Sequence, residues 1–183
     1  MIIAVMSDSH DNIWNLRKAL AIIKEKSAGM IIHCGDFVAP FMLKELNEAD
    51  IPVHGVFGNN DGDQYLLTKF SLTSFTNIKL YSLIGHININ GFNIGFTHQD
   101  IVGEALASTN KYKLVCYGHS HTHIIKNIGQ TILLNPGEIM GKDGFPGFCF
   151  VNTDTSEIQR IELKNYKECN RPLRHEDTKK GYD

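Results

Sequence analysis

The sequence predicts an α/β fold on two observations: strand and helix patterns alternate through its first half, and hairpin patterns take over in its second. A third observation bounds its size. With 183 residues, 42% of them hydrophobic and 21% charged, the chain has the length and composition of one globular domain.

Ile2 to Met6 is apolar, lacks a basic leader and ends at Asp8, so it reads as a buried first strand. Ile13, Leu16, Leu20 and Ile23 then recur at helical spacing. Trp14, at the start of that helix, is expected to pack against the sheet. Met30 to His33 is a second strand, and Pro40 opens a second helix whose core face is expected to include Phe41 and Leu46. Ile51 to Phe57 supplies a third strand. Strands separated by helices pair in parallel. Beyond them, Ile87 to Ile94 alternates apolar and polar residues around Asn90-Gly91, the signature of a tight hairpin. A helix over Ile101 to Asn110 and a strand over Leu114 to Tyr117 follow. Ile124 to Ile128 and Thr131 to Leu134 flank Gly129-Gln130 as another hairpin, and Phe148 to Val151 and Glu157 to Ile161 read as the last strands. The expected domain is 1–165, with 166–183 a polar, loosely held C-terminal tail.

Composition excludes several classes of function. A net charge of −2 argues against a nucleic-acid coat, although a local basic groove, and so nucleic acid as a ligand, stays open. The uncharged stretch from Leu80 to Gln99 is long enough to span a membrane but carries His86, Asn88, Asn90, Asn93, His98 and Gln99, which hydrocarbon does not tolerate. No membrane association is expected. Cys34, Cys116, Cys149 and Cys169 are scattered, which disfavours disulfides and points to the cytoplasm.

The chemistry stands at strand ends. Asp8 and His10 follow the first strand, Asp36 the second, Asn59 and Asp61 the third, and His98 ends the return strand of the hairpin. His119, His121 and His123 follow the strand at Leu114. In open α/β sheets these carboxyl ends form the ligand crevice. Taken singly, Asp8-Ser9-His10 is explained as a turn or cap, Gly35-Asp36 as a turn, Gly58 to Gly62 as a left-handed loop and His98 as a hydrogen-bonded strand end. Gly118-His119-Ser120-His121-Thr122-His123 resists such an explanation, because histidines two apart in extended chain face one way and repel when protonated. Neutral rings around a metal relieve that repulsion. Convergence of five distant segments is the signal.

In that order, Asp8-Ser9-His10, Gly35-Asp36, Gly58-Asn59-Asn60-Asp61, His98 and Gly118-His119-Ser120-His121 resemble the blocks of the calcineurin-like metallophosphoesterases, closest to their small prokaryotic single-domain branch. The resemblance implies a sandwich of two mixed β-sheets flanked by helices. It implies one divalent ion held by Asp8, His10 and His121, another by Asn59, His98 and His119, and Asp36 bridging them. Asp36, Asn59 and His119 would carry catalysis, while Asp61, Asn60 and His123 would support the ligands from behind. The implied activity is phosphoester hydrolysis by a hydroxide bridging both ions, with a phosphodiester as the expected substrate. Mixed nitrogen and oxygen ligands suit manganese, zinc, iron, cobalt or nickel rather than magnesium, and family resemblance selects manganese.

Two departures stand out. Many family members have histidine where this chain has Asn60, and an amide is no general acid. Substrates with acidic leaving alcohols are therefore expected to be preferred, unless His123 reaches the site. Gln99 stands where relatives commonly have glycine. Leu134-Asn135-Pro136-Gly137 also resembles a late loop of this branch, but the small residue that usually follows is Glu138 here, so no catalytic role is expected of it. The rival reading is a metal-binding scaffold, because the retromer subunit with this fold serves chiefly in assembly. A third is metal storage by the histidines. Homo-oligomerisation is open at this stage.

Overall fold

In β1 (Ile2–Met6) the side chains alternate between two buried faces. Ile3 and Val5 point into one apolar cluster, and Ala4 and Met6 into another. A strand buried on both faces needs a layer on each side. The computed structural model, which describes residues 1–163, supplies them. The expected tail, Cys169 and the boundary at 165 lie outside the described residues.

The elements continue as α1 (Ile13–Glu25), β2 (Met30–His33), α2 (Pro40–Glu48), β3 (Val53–Val56), α3 (Gln64–Thr73) and β4 (Ile78–Tyr81). Then come β5 (Ile84–Ile89), β6 (Phe92–Thr97), α4 (Asp100–Ser108), β7 (Leu114–Cys116), β8 (His123–Ile128), β9 (Thr131–Pro136), β10 (Gly147–Asn152) and β11 (Ile158–Glu162). They form two mixed sheets, ordered β11-β10-β1-β2-β3-β4 and β5-β6-β7-β9-β8. As expected, β1, β2 and β3 pair in parallel, Ile3 opposite Met30 and Ile31 opposite Val53. Asn90 and Gly91 turn the β5–β6 hairpin with φ of 49° and 89°, which pairs Ile89 with Phe92.

Three apolar layers hold the sandwich. Helices α1, α2 and α3 cover the six-stranded sheet through Leu16, Ile23, Leu43, Leu46 and Leu67, packed on Ala4, Ile31 and Phe148. Between the sheets lie Ile3, Val5, Ile32, Cys34, Ile94, Phe96, Leu114 and Cys149. Helix α4 covers the other face of the five-stranded sheet through Ala107, against Val115, Tyr117 and Leu133. The α/β sandwich of two mixed sheets flanked by helices is thus the observed fold.

Several local expectations need correction. Helix α2 starts at Pro40 as expected, but its core face is Met42, Leu43 and Leu46, whereas Phe41 in the first turn is 44% exposed. Trp14 does not pack against the sheet. It is 63% exposed, with the Arg17 guanidinium 6.0 Å from its ring centre, so the first helix buries Leu16, Ala19, Leu20, Ile22 and Ile23 instead. Helix α3 and strand β4 were not expected. Leu67 is the only α3 residue that is fully buried, so apolar periodicity there is faint, and Asp63 Oδ1 capping Leu66 N (2.9 Å) marks its start. No helix among the described residues is long and apolar enough to cross a membrane, and Leu80 to Gln99 forms strand and turn.

Candidate metal centre

The carboxyl ends of β1, β2 and β3 in one sheet face those of β6 and β7 in the other, so five loops share one rim. Of the described non-glycine residues with left-handed φ, Asp8, His10, Asp11, Asp36, Val38, His119 and His121 all belong to these loops. Backbone held in that region persists where surrounding contacts fix it. Those contacts are specific. Asp8 N donates to Gly35 O (3.0 Å) and Ser9 N to Asp36 O (3.1 Å). Asp61, buried, accepts from Gly58 N (2.6 Å), Val38 N (2.8 Å) and Asp36 N (3.1 Å), tying the second and third loops together. Burial pushes the Asp61 carboxyl up, opposed by the N–H groups of Gly58, Val38 and Asp36. A Cβ on Gly58 would fall on Asp36 Oδ1, and one on Gly118 on Ser7 Oγ, so both loops approach too closely for any side chain.

The seven residues meet. His10 Nε2 lies 3.2 Å from Asp36 Oδ2 and 3.8 Å from Asp8 Oδ1, and His121 Nε2 lies 3.4 Å from Asp8 Oδ1. On the other side His98 Nε2 lies 3.5 Å from Asp36 Oδ2 and 2.9 Å from Asn59 Oδ1, which is also 2.9 Å from His119 Nδ1. Asp36 Oδ2 thus stands between the two histidine groups. Asn60 fixes it, donating from its backbone N to Oδ1 (2.8 Å) and from Nδ2 to Oδ2 (2.7 Å).

Proton positions show what the arrangement wants. His98 Nδ1 is 2.8 Å from Cys34 O, and a carbonyl only accepts, so Nδ1 carries the proton and Nε2 a lone pair. That lone pair faces the oxygens of Asn59 and Asp36. His121 Nδ1 similarly meets Asp143 Oδ2 (2.8 Å) and Glu138 Oε2 (3.3 Å), which leaves the Nε2 lone pair facing Asp8 Oδ1. Buried Asp8 Oδ1 and His10 Nε2 have no hydrogen-bond partner. Carboxylate, amide and imidazole donors that converge in this way, with buried atoms left unpaired among them, fit a divalent cation. Asp8, His10 and His121 form one group able to hold a metal ion, and Asp8, Asp36 and His98 a second that shares Asp8. The field is cation-seeking. The Asp36 carboxylate, and then that of Asp8, push the His10 pKa up to about 9. Burial opposes ionisation of Asp36, yet His10 and Asn60 hold its carboxyl well below the usual carboxylate range.

His123 is engaged elsewhere. Its Nδ1 lies 3.1 Å from Asn135 O and 3.8 Å from Cys149 Sγ, and its pKa is lowered by burial. Four further groups support the site, of which the sequence reading touched Asn135, through the Leu134 to Gly137 resemblance. Buried His33, whose pKa falls to about 3 by desolvation, accepts from Gly35 N (3.2 Å), so its Nε2 proton points at Ser9 Oγ, 3.1 Å away. Asn135 Nδ2 donates to Gly118 O (2.8 Å) and Ser120 Oγ (3.0 Å), holding the histidine loop. Glu138 is fully buried. Asp143 completes the set. A further signal in the sequence was Glu138 itself, an acid set beside the apolar Ile139-Met140, where a carboxylate needs partners.

The family model of the calcineurin-like phosphoesterase superfamily domain matches residues 1–156. The chain belongs to the calcineurin-like phosphoesterases. A phosphodiesterase of Methanocaldococcus jannaschii is 31% identical over 168 residues, which covers 90% of this chain and all of the relative. A solved archaeal phosphodiesterase superposes with a TM-score of 0.82 at 30% identity, covering 88% of this chain and 99% of that one. Vacuolar protein sorting 29 of Cryptosporidium parvum shares the fold at a TM-score of 0.64 and 16% identity, covering 88% and 96%. As a calcineurin-like phosphoesterase the chain is a metal-dependent phosphoester hydrolase, with a phosphoester as its substrate and groups of Asp and His placed to hold divalent metal.

Proposed function

We propose that this phosphoesterase cleaves phosphodiesters with two divalent ions, one held by Asp8, His10 and His121 and the other by Asn59, His98 and His119, with Asp36 shared between them. The observation that carries the reading is that His10 Nε2 and His98 Nε2 both face Asp36 Oδ2, while His121 Nε2 faces Asp8 Oδ1, a buried oxygen with no hydrogen-bond partner. When bound, the ions supply Lewis acidity, which lowers the pKa of water towards neutrality and offsets charge on phosphoryl oxygens. The chain does the rest. Asn60 and Asp61 hold Asp36 in place, Cys34 O and Asp143 fix the imidazole tautomers, and His119 and Asn59 stand exposed at the mouth, where a phosphoryl group arrives. Asp36, Asn59 and His119 are the proposed catalytic residues. Manganese is the proposed ion on family resemblance, and the mixed donor set also suits zinc, iron, cobalt and nickel.

Diester over monoester has support beyond the relatives. A cavity of about 240 Å³ opens beside Asn59 and His98, and Phe57, Gln64, Leu83 and Gln99 help to line it with no charged side chain. Such a wall suits an uncharged second substituent better than the dianion of a monoester. Asn60 donates to Asp36 and offers no acid, and His123 Nδ1 is turned to Asn135 O. With leaving-group protonation lacking, roughly 10²–10⁴-fold of rate is missing for poor leaving groups. Turnover of an aryl against an alkyl phosphodiester with added manganese tests this, under conditions where chemistry limits the rate. The aryl ester should be strongly preferred, and equal rates would refute the assignment. Residues 1–165 are proposed as one domain, supported by a family match to 156. A cytoplasmic setting is proposed from Cys34, Cys116 and Cys149, which are buried and free.

A further inference from the structure

Between β9 and β10, residues 137–146 fold over the Asp8 loop, and their conformation is set from within. Glu138 accepts from Lys142 N (3.0 Å), Asp143 N (2.6 Å) and Gly144 N (2.7 Å), so one buried carboxylate gathers three consecutive N–H groups. Ile139 N and Met140 N donate to Ser7 O (3.0 Å) and Asp8 O (2.9 Å), pinning the loop to the segment after β1 that carries Asp8. Arg160 donates to Pro136 O and, at 2.9 Å, to Phe145 O, holding both ends. The product of these contacts is the placement of Asp143, whose Oδ2 meets His121 Nδ1 at 2.8 Å.

We propose that Asp143, delivered by the loop that Glu138 folds, is a positioning residue that locks His121 with its Nε2 lone pair on Asp8, and so tunes the Asp8–His10–His121 cation group but not the group around His98. The proposal rests on the metal reading above. Three points carry it. Both neighbours of His121 Nδ1 are carboxylate oxygens, so that nitrogen is a donor, and Nε2 is the ring nitrogen left to face Asp8 Oδ1. Glu138 is already bound to three N–H groups, which makes Asp143 the nearer and less committed acceptor. The second group has its own anchor, Cys34 O on His98 Nδ1, and its histidines meet Cys34 O, Asp36 and Asn59 rather than side chains of the loop. Asp143 is 56% exposed in its side chain, and its tie to Glu138 runs through its backbone N, so removing the carboxylate leaves the loop closed.

The test is cobalt(II) titration of the metal-free full chain, followed by the visible absorption of the bound ion. His10→Ala and His98→Ala identify which binding phase belongs to which group. Asp143→Ala is expected to weaken the phase that His10→Ala removes, by about 10–100-fold, and to alter its spectrum. Asp143→Asn, whose amide oxygen still accepts from Nδ1, should restore most of the affinity. Glu138→Gln sets an amide N–H against Lys142 N–H, loosens the loop and should weaken the same phase. Unchanged binding by Asp143→Ala, or equal weakening of both phases, would overturn the proposal. A natural protein that takes up no cobalt would refute the metal reading itself and remove this inference with it.

Discussion

The two sheets contribute different chemistry to the rim they share. Loops after β1, β2 and β3 of the six-stranded sheet bring Asp8, His10, Asp36 and Asn59, so every oxygen donor comes from that side. Loops after β6 and β7 of the five-stranded sheet bring only imidazoles, from His98, His119 and His121. The carboxylates are buried and locked by backbone N–H groups, as Asp36 is by Asn60 and Asp8 by His119 N. His119 and His121 are more open to solvent. The carboxylates are therefore fixed on one side, and imidazole nitrogens are aimed at the same rim from the other. The two halves of the rim meet only while the sheets stay packed.

The largest expected effects come from breaking the charged side. Asp36→Ala removes the oxygen that faces both histidine groups, and it should lower phosphodiester turnover by on the order of 10³-fold, about 4 kcal/mol of lost stabilisation. Steady-state rates with circular dichroism as a fold control would check it. Next is the packing that brings the sheets together. Phe96 is fully buried between them, so Phe96→Ala should cost about 3–5 kcal/mol in denaturant unfolding and weaken metal binding at both groups together.

A smaller effect concerns protons. The His10 pKa is raised in the metal-free fold, from 6.5 to about 9. Its contribution to metal-free stability is therefore fully present below pH 6.5 and is lost as pH rises through 9, a change of up to about 3 kcal/mol. Unfolding of the metal-free chain across that window should show the fall, and His10→Gln should flatten it. Below pH 9 metal binding should also release a proton, seen as a dependence of calorimetric heat on buffer ionisation. The smallest effect belongs to Trp14. At 63% exposure it touches neither sheet core, so Trp14→Ala should change stability by less than about 0.5 kcal/mol. A larger loss in thermal melting would reveal a role that its position does not show.

Legibility in the sequence followed the same division. The buried strands were plain because Ile2–Met6 and Met30–His33 are short apolar runs, and the Asn90-Gly91 turn dictated its own hairpin. Helix α3 was hidden because a helix that buries Leu67 alone has almost no apolar stripe. The seven side chains proposed to hold metal were legible because each sits at a strand end with a turn-forming neighbour. Of their supports, Asn60 and Asp61 were legible beside Asn59, but those of the histidine loop were not. Asp143 and Glu138 act through backbone N–H groups and through a ring more than fifteen residues away, and no local spacing encodes that. Trp14 misled because an aromatic at a helix start usually faces the core, whereas here α1 begins by turning it outward.

The most direct measurement is the metal-to-protein ratio of the purified chain after loading with manganese or cobalt and removal of excess, taken for the natural sequence and for Asp36→Ala. Shared ligation across the two sheets predicts two ions per natural chain and no more than one in the variant. No bound metal in the natural chain, or two ions retained by Asp36→Ala, would contradict it.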